Sequence, residues 1–208
     1  MNQSMHKVFI SYHHDNDQWA KQALLNLNRS NNYSIFIDSS ADTGDIDESL
    51  SDESIRQKIR DEYLQDSTVT ILLVGIETKN RKHIDWEIYS SMYDGQVNKK
   101  SGVLVIQLPS TGCTAFTGAH GKEEKSELYP HISTWQSVTN RTDYESLFPY
   151  LPKRIIDNLL KSEAKISVAK WETITASPDK LKLMIDLTFN DRTGCDYDLS
   201  SPMRRSDS

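Results

Sequence analysis

STVTILLVG, residues 67–75, is the most hydrophobic run in this sequence of 208 residues. The run is short, rich in β-branched residues and without polar alternation, which predicts a strand whose two faces are both buried. Such a strand belongs at the centre of a parallel sheet that helices cover on both sides. The run therefore predicts an α/β fold.

Strand-like and helix-like patterns alternate on both sides of this run. The other predicted strands are KVFISY (7–12), YSIFID (33–38), GVLVIQL (102–108) and the shorter ISTWQSV (132–138), with KISVAKW (165–171) as a further short strand. Between most of them the hydrophobic period changes from two to about 3.6 residues, which is typical of helices. The alternation predicts a central, mainly parallel five-stranded sheet flanked by helices.

Five helices are expected from apolar residues at helical spacing. Their expected apolar stripes are Trp19, Ala23 and Leu27; Ile55 and Ile59; Ile84, Ile88 and Met92; Ile155, Ile156, Leu159 and Leu160; and Leu181 and Ile185. Ser177 and Pro178 are suited to the N-cap and the first position of the last helix. Residues 109–130 show no regular period, so we expect a long surface loop there.

Charge and composition exclude several classes of protein. The chain has 24 Lys and Arg against 30 Asp and Glu, and its basic residues are scattered, so we do not expect nucleic-acid binding. No apolar run approaches the roughly 18 residues of a membrane span, and the N-terminus lacks the features of a signal peptide. We therefore expect a cytoplasmic protein without membrane contact. Cys113 and Cys195 lie far apart in loop-like contexts and are expected to be free thiols.

Polar side chains follow several of the predicted strands. In an open parallel sheet, ligands bind at the carboxyl ends of the strands, where SYHHD, FIDSSADTGDI and HIDWE would meet. The residues that we expect to converge there are His13, His14, Asp38, Asp42, His83 and Glu87. His83 and Glu87 are four residues apart, hence neighbours on one helix face, and an ordinary surface pair remains an alternative.

Other chemistries fit this edge less well. A flavin or dinucleotide site needs a Gly-, Ser- or Thr-rich phosphate loop, whereas YHHDND offers acids and imidazoles. A receiver domain needs an Asp at the end of the third strand, where Gly75 stands. Neighbouring histidines in HHDND would point in opposite directions, which disfavours a metal site. A hydrolase built on Ser11, His13 and Asp38 would lack the Gly-x-Ser-x-Gly turn.

Three segments, taken in order, resemble TIR domains. KVFISYHHDND resembles their first conserved box, FIDSSADTGDI the end of their second strand and the BB loop, and TVTILLVGIETKNRKHIDWEI the strand and helix with the catalytic glutamate of NAD-consuming TIR enzymes. HIDWEI and the ending LKLMIDLTFNDRTGCDYDLSSPMRR are similar to the bacterial TIR-like family that includes the TIR sensor protein of Thoeris antiphage defence. The resemblance covers about residues 6–160. It implies a flavodoxin-like TIR fold, with a TIR-like domain over 1–162 and a C-terminal extension, 163–208, packed on it.

The resemblance implies roles for individual residues. Glu87 falls on the catalytic glutamate, and His83 on a position where many TIR enzymes have a Trp that packs on the ribose or nicotinamide. His14 replaces an Arg of some relatives, and Gly44 and Ile46 lie in the BB loop near the nicotinamide end. Together with the sheet edge, this predicts a substrate site made of Ser11, His13, His14, Asp38, Gly44, Ile46 and His83.

The implied activity is cleavage of the nicotinamide glycosidic bond of NAD+, which is a substrate here, with no cofactor and no metal. The product would be an ADP-ribose-derived nucleotide, cyclic or conjugated, that signals in antiphage defence. The implied partners are other copies of the TIR domain, an effector protein reached through the diffusible nucleotide, and a phage-derived trigger. The alternative is a non-catalytic TIR adaptor. Adaptors frequently lack an acid at the position of Glu87, so this residue favours the enzyme.

Overall fold

The structure, a computed structural model, describes residues 5–29, 34–40 and 46–207. The five strands in these ranges form one parallel sheet in the order β2-β1-β3-β4-β5. They are β1 (Lys7–Ser11), β2 (Ile37–Asp38), β3 (Val69–Val74), β4 (Gly102–Gln107) and β5 (Ser167–Lys170). This strand order is that of flavodoxin-like folds and confirms the expected fold class.

Helices cover both faces of the sheet. They are α1 (His14–Asn28), α2 (Asp52–Lys58), α3 (Lys82–Met92), α4 (Lys122–Leu128), α5 (Arg141–Leu147), α6 (Lys153–Leu159), α7 (Trp171–Thr175) and α8 (Pro178–Asp191). A π-helical stretch, Ile59–Leu64, continues α2. Among the described residues, no helix combines the length and the apolar character that crossing a bilayer requires.

The central strand β3 is buried on both faces, as expected. Ile71 and Leu73 belong to an apolar cluster with α1 and α8, and Leu72 and Val74 belong to a second cluster with α3 and α6. Alternate residues of a strand point to opposite faces, so one run of apolar residues supplies both cores. The expected stripes of the second, third and last helices are confirmed by the burial of Ile55, Ile59, Ile84, Ile88, Met92, Leu181 and Ile185. Half of the fourth stripe is confirmed: Ile155 and Ile156 are buried, whereas Leu159 is partly buried and Leu160, just beyond the end of α6, is 38% exposed.

The strand expected at 132–138 is wrong. This stretch has no regular structure, and its Trp135 packs edge-on against Phe116 and Tyr129, with ring centroids 5.7 and 5.6 Å apart. Its apolar residues thus belong to an aromatic cluster instead of a strand. The expected surface loop at 109–130 is corrected in part, because it contains α4.

The fifth strand comes from KISVAKW, 165–171, where Val168 pairs with Val105 of β4. The sheet therefore continues into residues 163–208, which we expected to pack on the domain as an extension. Helix α8 from this stretch lies so close to β4 that a Cβ added to Gly102 would be 2.4 Å from the carbonyl oxygen of Thr188. The division of the chain at residue 162 stays a prediction.

The buried face of α1 differs from the expected stripe. Ala20 and Leu24 are fully buried, whereas Trp19 is 47% exposed. Trp19 packs edge-on against Trp171 of α7 at 5.2 Å, so the large ring lies at the rim of the core. Ala20 and Leu24 supply the apolar side chains of α1 that join the core cluster.

Beyond α8 the chain is extended and crosses α6 and α3. We call residues 196–207 the strap. Asn158 of α6 exchanges two hydrogen bonds with the backbone of Asp198, at 3.1 and 2.7 Å, which fixes the start of the strap. Cys113 and Cys195 are free thiols, as expected.

Candidate active site

The strand order reverses between β1 and β3. The chain passes from β1 to β2 on one side and then to β3 on the other, and open parallel sheets bind ligands at the carboxyl ends of two such strands. Ser11 ends β1, Gly75 follows β3, and α1 begins directly after β1. The edge at which we expect the polar residues to converge therefore contains the switch point of the sheet, the place where its strand order reverses.

Glu87 lies on the second turn of α3 and is only 4% exposed. Its Oε2 accepts a hydrogen bond of 2.6 Å from Oγ of Ser11, which is also buried. This bond joins α3 to the end of β1 and places one carboxylate at the switch point. The burial of Glu87 excludes the exposed helix-surface pair with His83 that spacing alone left open.

His13 follows β1 and caps α1. Its Nδ1 accepts a hydrogen bond of 3.2 Å from the backbone N–H of Asn16, and the residue is buried. A ring nitrogen that accepts a hydrogen bond carries no proton, so the neutral form of this imidazole has its proton on Nε2. The capping bond thus sets the tautomer and makes Nε2–H the donor of this ring.

Asp17, in the first turn of α1, is a buried acid that the sequence analysis did not single out. It is 4% exposed, and its Oδ2 has no hydrogen-bond partner among the described residues. Burial raises the pKa of Asp17 above the ordinary 3.8, and a charge on His13 opposes this rise. The only signal in the sequence was a fourth acidic or imidazole residue in HHDND, four positions after His13.

The carboxylate of Asp17 packs directly on Gly75. A Cβ at Gly75 would lie 2.4 Å from Oδ2 of Asp17, closer than real Cβ atoms approach. Gly75 stands where a receiver domain would carry its Asp. Any larger residue at this position would clash with the carboxylate of Asp17. The absence of a side chain at the end of β3 leaves room for an acid that comes from α1.

Replacing Asp17 with Asn should stabilise the protein at neutral pH. The raised pKa means that the charged form of Asp17 is penalised in the folded state, so wild type loses stability as the pH rises from 3.8 through the folded pKa. Asn removes this penalty, and we expect a gain of about 1 kcal/mol at pH 7. Urea unfolding from pH 3.5 to pH 8 measures it. The gain must shrink towards pH 3.8, and a gain independent of pH would contradict the explanation.

His14 and His83 are both exposed, in contrast to Glu87. His14 stacks on Tyr12 with ring centroids 4.5 Å apart, and His83 packs edge-on against Trp86 at 4.9 Å. Partial burial lowers the pKa of His83 below 6.5, and the nearby charges of Lys82 and His14 act in the same direction. The first box and the start of α3 thus bring two imidazoles near each other.

Asp38 is exposed at the end of β2. Its Oδ1 accepts a hydrogen bond of 3.0 Å from the backbone N–H of Ser40, so the carboxylate stabilises the turn that begins at Asp38. The structure gives it no bond to Ser11 or Glu87. Gly44 and Asp42 lie outside the described residues. Within the described ranges, no three His, Cys, Asp or Glu side chains are grouped so that they could hold a metal ion.

Ile46 is a core residue. It is buried in an apolar cluster with Phe9 of β1 and Trp86 of α3. The indole of Trp86, which adjoins Glu87 in sequence, therefore packs under the segment that leads into α2. The role of Ile46 in substrate binding stays a prediction, but its position ties this segment to α3.

One comparison with known proteins identifies a relationship. A family model described as the Thoeris protein ThsB, TIR-like domain, matches residues 9–112, which is half of the chain. The matched part contains β1 with Ser11, the switch point and α3 with Glu87. No curated protein matches the chain.

Proposed function

Because the chain belongs to the TIR-like domain family of the Thoeris protein ThsB, we propose that it is an NAD+-cleaving enzyme of antiphage defence. The reaction is cleavage of the nicotinamide glycosidic bond, with NAD+ as substrate and without a further cofactor. The observation that carries this proposal is the buried pair of Ser11 and Glu87 at the switch point.

A single carboxylate meets the needs of this reaction. Nicotinamide is already a cationic pyridinium in NAD+ and departs as a neutral molecule, so no acid has to protonate the leaving group. Ordinary glycosidases must protonate an alcohol and therefore use two carboxylates. Positive charge develops on the ribose instead, and one fixed anion beside the ribose stabilises it.

The surroundings of Glu87 support this role. A buried carboxylate interacts more strongly with a developing charge than an exposed one, because water screens it less. Ser11 holds one oxygen of the carboxylate by a hydrogen bond of 2.6 Å and so limits its rotation. An anion whose position is fixed before the substrate binds has little reorganisation left to do during the reaction.

The exposed imidazoles are suited to bind the substrate. We assign His83 to the stacking role that a Trp has in many TIR enzymes, because it lies one helical turn before Glu87 and already packs on Trp86. Its lowered pKa keeps the ring neutral at pH 7, so it does not repel the cationic nicotinamide. His14, stacked on Tyr12, would contact the same ligand from the start of α1.

The group that attacks the ribose decides the product. Water yields ADP-ribose, an oxygen or nitrogen of the same molecule yields a cyclic isomer, and another small molecule yields a conjugate. We propose a cyclic or conjugated nucleotide that carries the signal to a separate effector protein after a phage-derived trigger. Self-association of TIR domains would accompany activity.

The test is release of nicotinamide from NAD+ by the full chain, followed by chromatography. High protein concentration favours self-association, and lysate of infected cells supplies the trigger. The mass of the nucleotide product distinguishes hydrolysis from cyclisation or conjugation. We expect release under at least one condition. If the folded protein releases none under any condition, the proposal fails and the non-catalytic adaptor takes its place.

A further inference from the structure

The strap lies outside the matched residues 9–112, yet it contacts the segments on both sides of the Glu87 site. It has no helix or strand of its own. Its backbone and side chains are instead bonded to α3, to α6 and to residues 46–51, which lead into α2 and which we call the entry loop. An extended segment with this many specific contacts is ordered by its partners.

The strap contacts Asp85 and Trp86, the two residues of α3 that directly precede Glu87. Asp85 Oδ2 accepts a hydrogen bond of 2.9 Å from the backbone N–H of Arg204, and Trp86 Nε1 donates one of 2.7 Å to the carbonyl of Arg204. One residue of the strap therefore holds two consecutive side chains of the helix through its two flanking peptide groups. The orientation of the next residue, Glu87, depends on the same turn.

The end of the strap caps α3. Asp207 Oδ1 accepts a hydrogen bond of 2.7 Å from the backbone N–H of Lys82, the first residue of the helix. The first N–H groups of a helix have no acceptor within it, and a carboxylate there also interacts favourably with the helix dipole. The Asp207 carboxylate also pairs with Arg81. The strap thus stabilises the turn that carries His83.

Arg205 holds the entry loop. Its guanidinium donates to the carbonyls of Leu50 at 2.8 Å and Glu48 at 3.3 Å, and it forms an ion pair with Asp52. Lys82 of α3 pairs with the Glu48 side chain at 2.6 Å, so the entry loop is also tied to the helix. Loop, helix and strap are therefore bonded to one another in all three combinations.

Met203 fills the space between these parts. The residue is buried in the apolar cluster that contains Ile46 of the entry loop and Trp86 of α3, and its backbone N–H donates to Asp52 at 3.2 Å. Apolar burial supplies most of the stabilisation of such a contact, and the hydrogen bonds fix its register. The strap is attached as part of the core and not as a loose tail.

We propose that the strap is a positioning element of the Glu87 site, which holds the entry loop and the first turns of α3 in one arrangement. Its catalytic consequence rests on the proposed function. Reacting groups must be held within a fraction of an ångström, and a displacement of about 1 Å can lower a rate about 100-fold. Loosening of the strap therefore lowers turnover without touching Glu87 itself.

The test uses the full chain with Arg205→Ala and Asp207→Ala combined. About half of each side chain is exposed, so the variant should fold. The matched control is Arg141→Ala with Glu145→Ala, an ion pair on α5 of comparable exposure that lies outside both the strap and the entry loop. Asp157, the partner of Arg141, keeps its bond to Lys153 in the control.

Two readouts are compared, backbone amide hydrogen exchange by mass spectrometry and the kcat of nicotinamide release. We expect exchange in residues 46–51 and 82–87 to become about tenfold faster in the strap variant and to stay unchanged in the control. We expect kcat to fall about tenfold, at a melting temperature equal to that of the control.

The two readouts separate this proposal from the proposed function. Exchange in 46–51 and 82–87 that matches the control overturns the strap proposal, whatever the activity. Faster exchange with an unchanged kcat overturns its positioning role. If wild type releases no nicotinamide, the proposed function fails, and the exchange rates still decide whether the strap holds the entry loop and α3.

Discussion

Replacing Glu87 with Gln should lower the rate of nicotinamide release about 100-fold or more. Gln has the same shape, and its amide oxygen can still accept the hydrogen bond from Ser11, so the fold and the helix position are kept. Only the negative charge is lost, and with it the stabilisation of the positive charge on the ribose. The measurement is kcat for NAD+ by chromatography, at equal protein concentration.

Two further variants sharpen this prediction. Ser11→Ala keeps the charge of Glu87 but removes the donor that fixes it, and we expect a smaller loss of about tenfold. Glu124→Gln is the matched control, because Glu124 is also a buried glutamate and its carboxylate accepts a hydrogen bond from His120, away from the switch point. An unchanged rate in Glu87→Gln would refute the single-carboxylate mechanism.

Arg154→Ala should have the largest effect on stability, about 3–5 kcal/mol. The side chain of Arg154 is 2% exposed and forms two hydrogen bonds with the Asp85 carboxylate, at 2.8 and 2.9 Å. It also donates to the carbonyls of Ser201 and Pro202, at 3.0 and 3.1 Å. Its removal leaves Asp85 without its charged partner and removes two of the hydrogen bonds that join the strap to α6. Urea unfolding measures the loss as a lower midpoint.

Arg141→Ala is the control for this loss. Arg141 also pairs with two carboxylates, Glu145 and Asp157, but its side chain is 40% exposed. Exposed ion pairs contribute about 0–1 kcal/mol, so the midpoint should change little. Combining Arg154→Ala with Asp85→Asn should recover part of the stability, because the unpaired charge disappears. Equal losses in Arg154→Ala and Arg141→Ala would contradict the importance of burial here.

Short-range patterns predicted the elements whose signal is local. The run 67–75 became β3, and the Ser177 side chain caps α8 by accepting a bond of 3.3 Å from the backbone N–H of Lys180. The predictions failed where the position of an aromatic ring depends on residues that are distant in sequence. Trp135 packs on Phe116 and Tyr129 outside the sheet. The hydrophobic period of its own segment cannot predict a contact with those rings.

The sequence by itself determined the α/β fold, the order of its segments and the edge at which Ser11 and Glu87 meet. These follow from hydrophobic period and from the rule that parallel strands share their carboxyl ends. Only the tertiary structure decided that Glu87 is buried against a residue 76 positions away, that Asp17 packs on Gly75, and that the strap holds α3. Such contacts depend on how whole elements pack, whereas a sequence pattern reports only neighbours within a few turns.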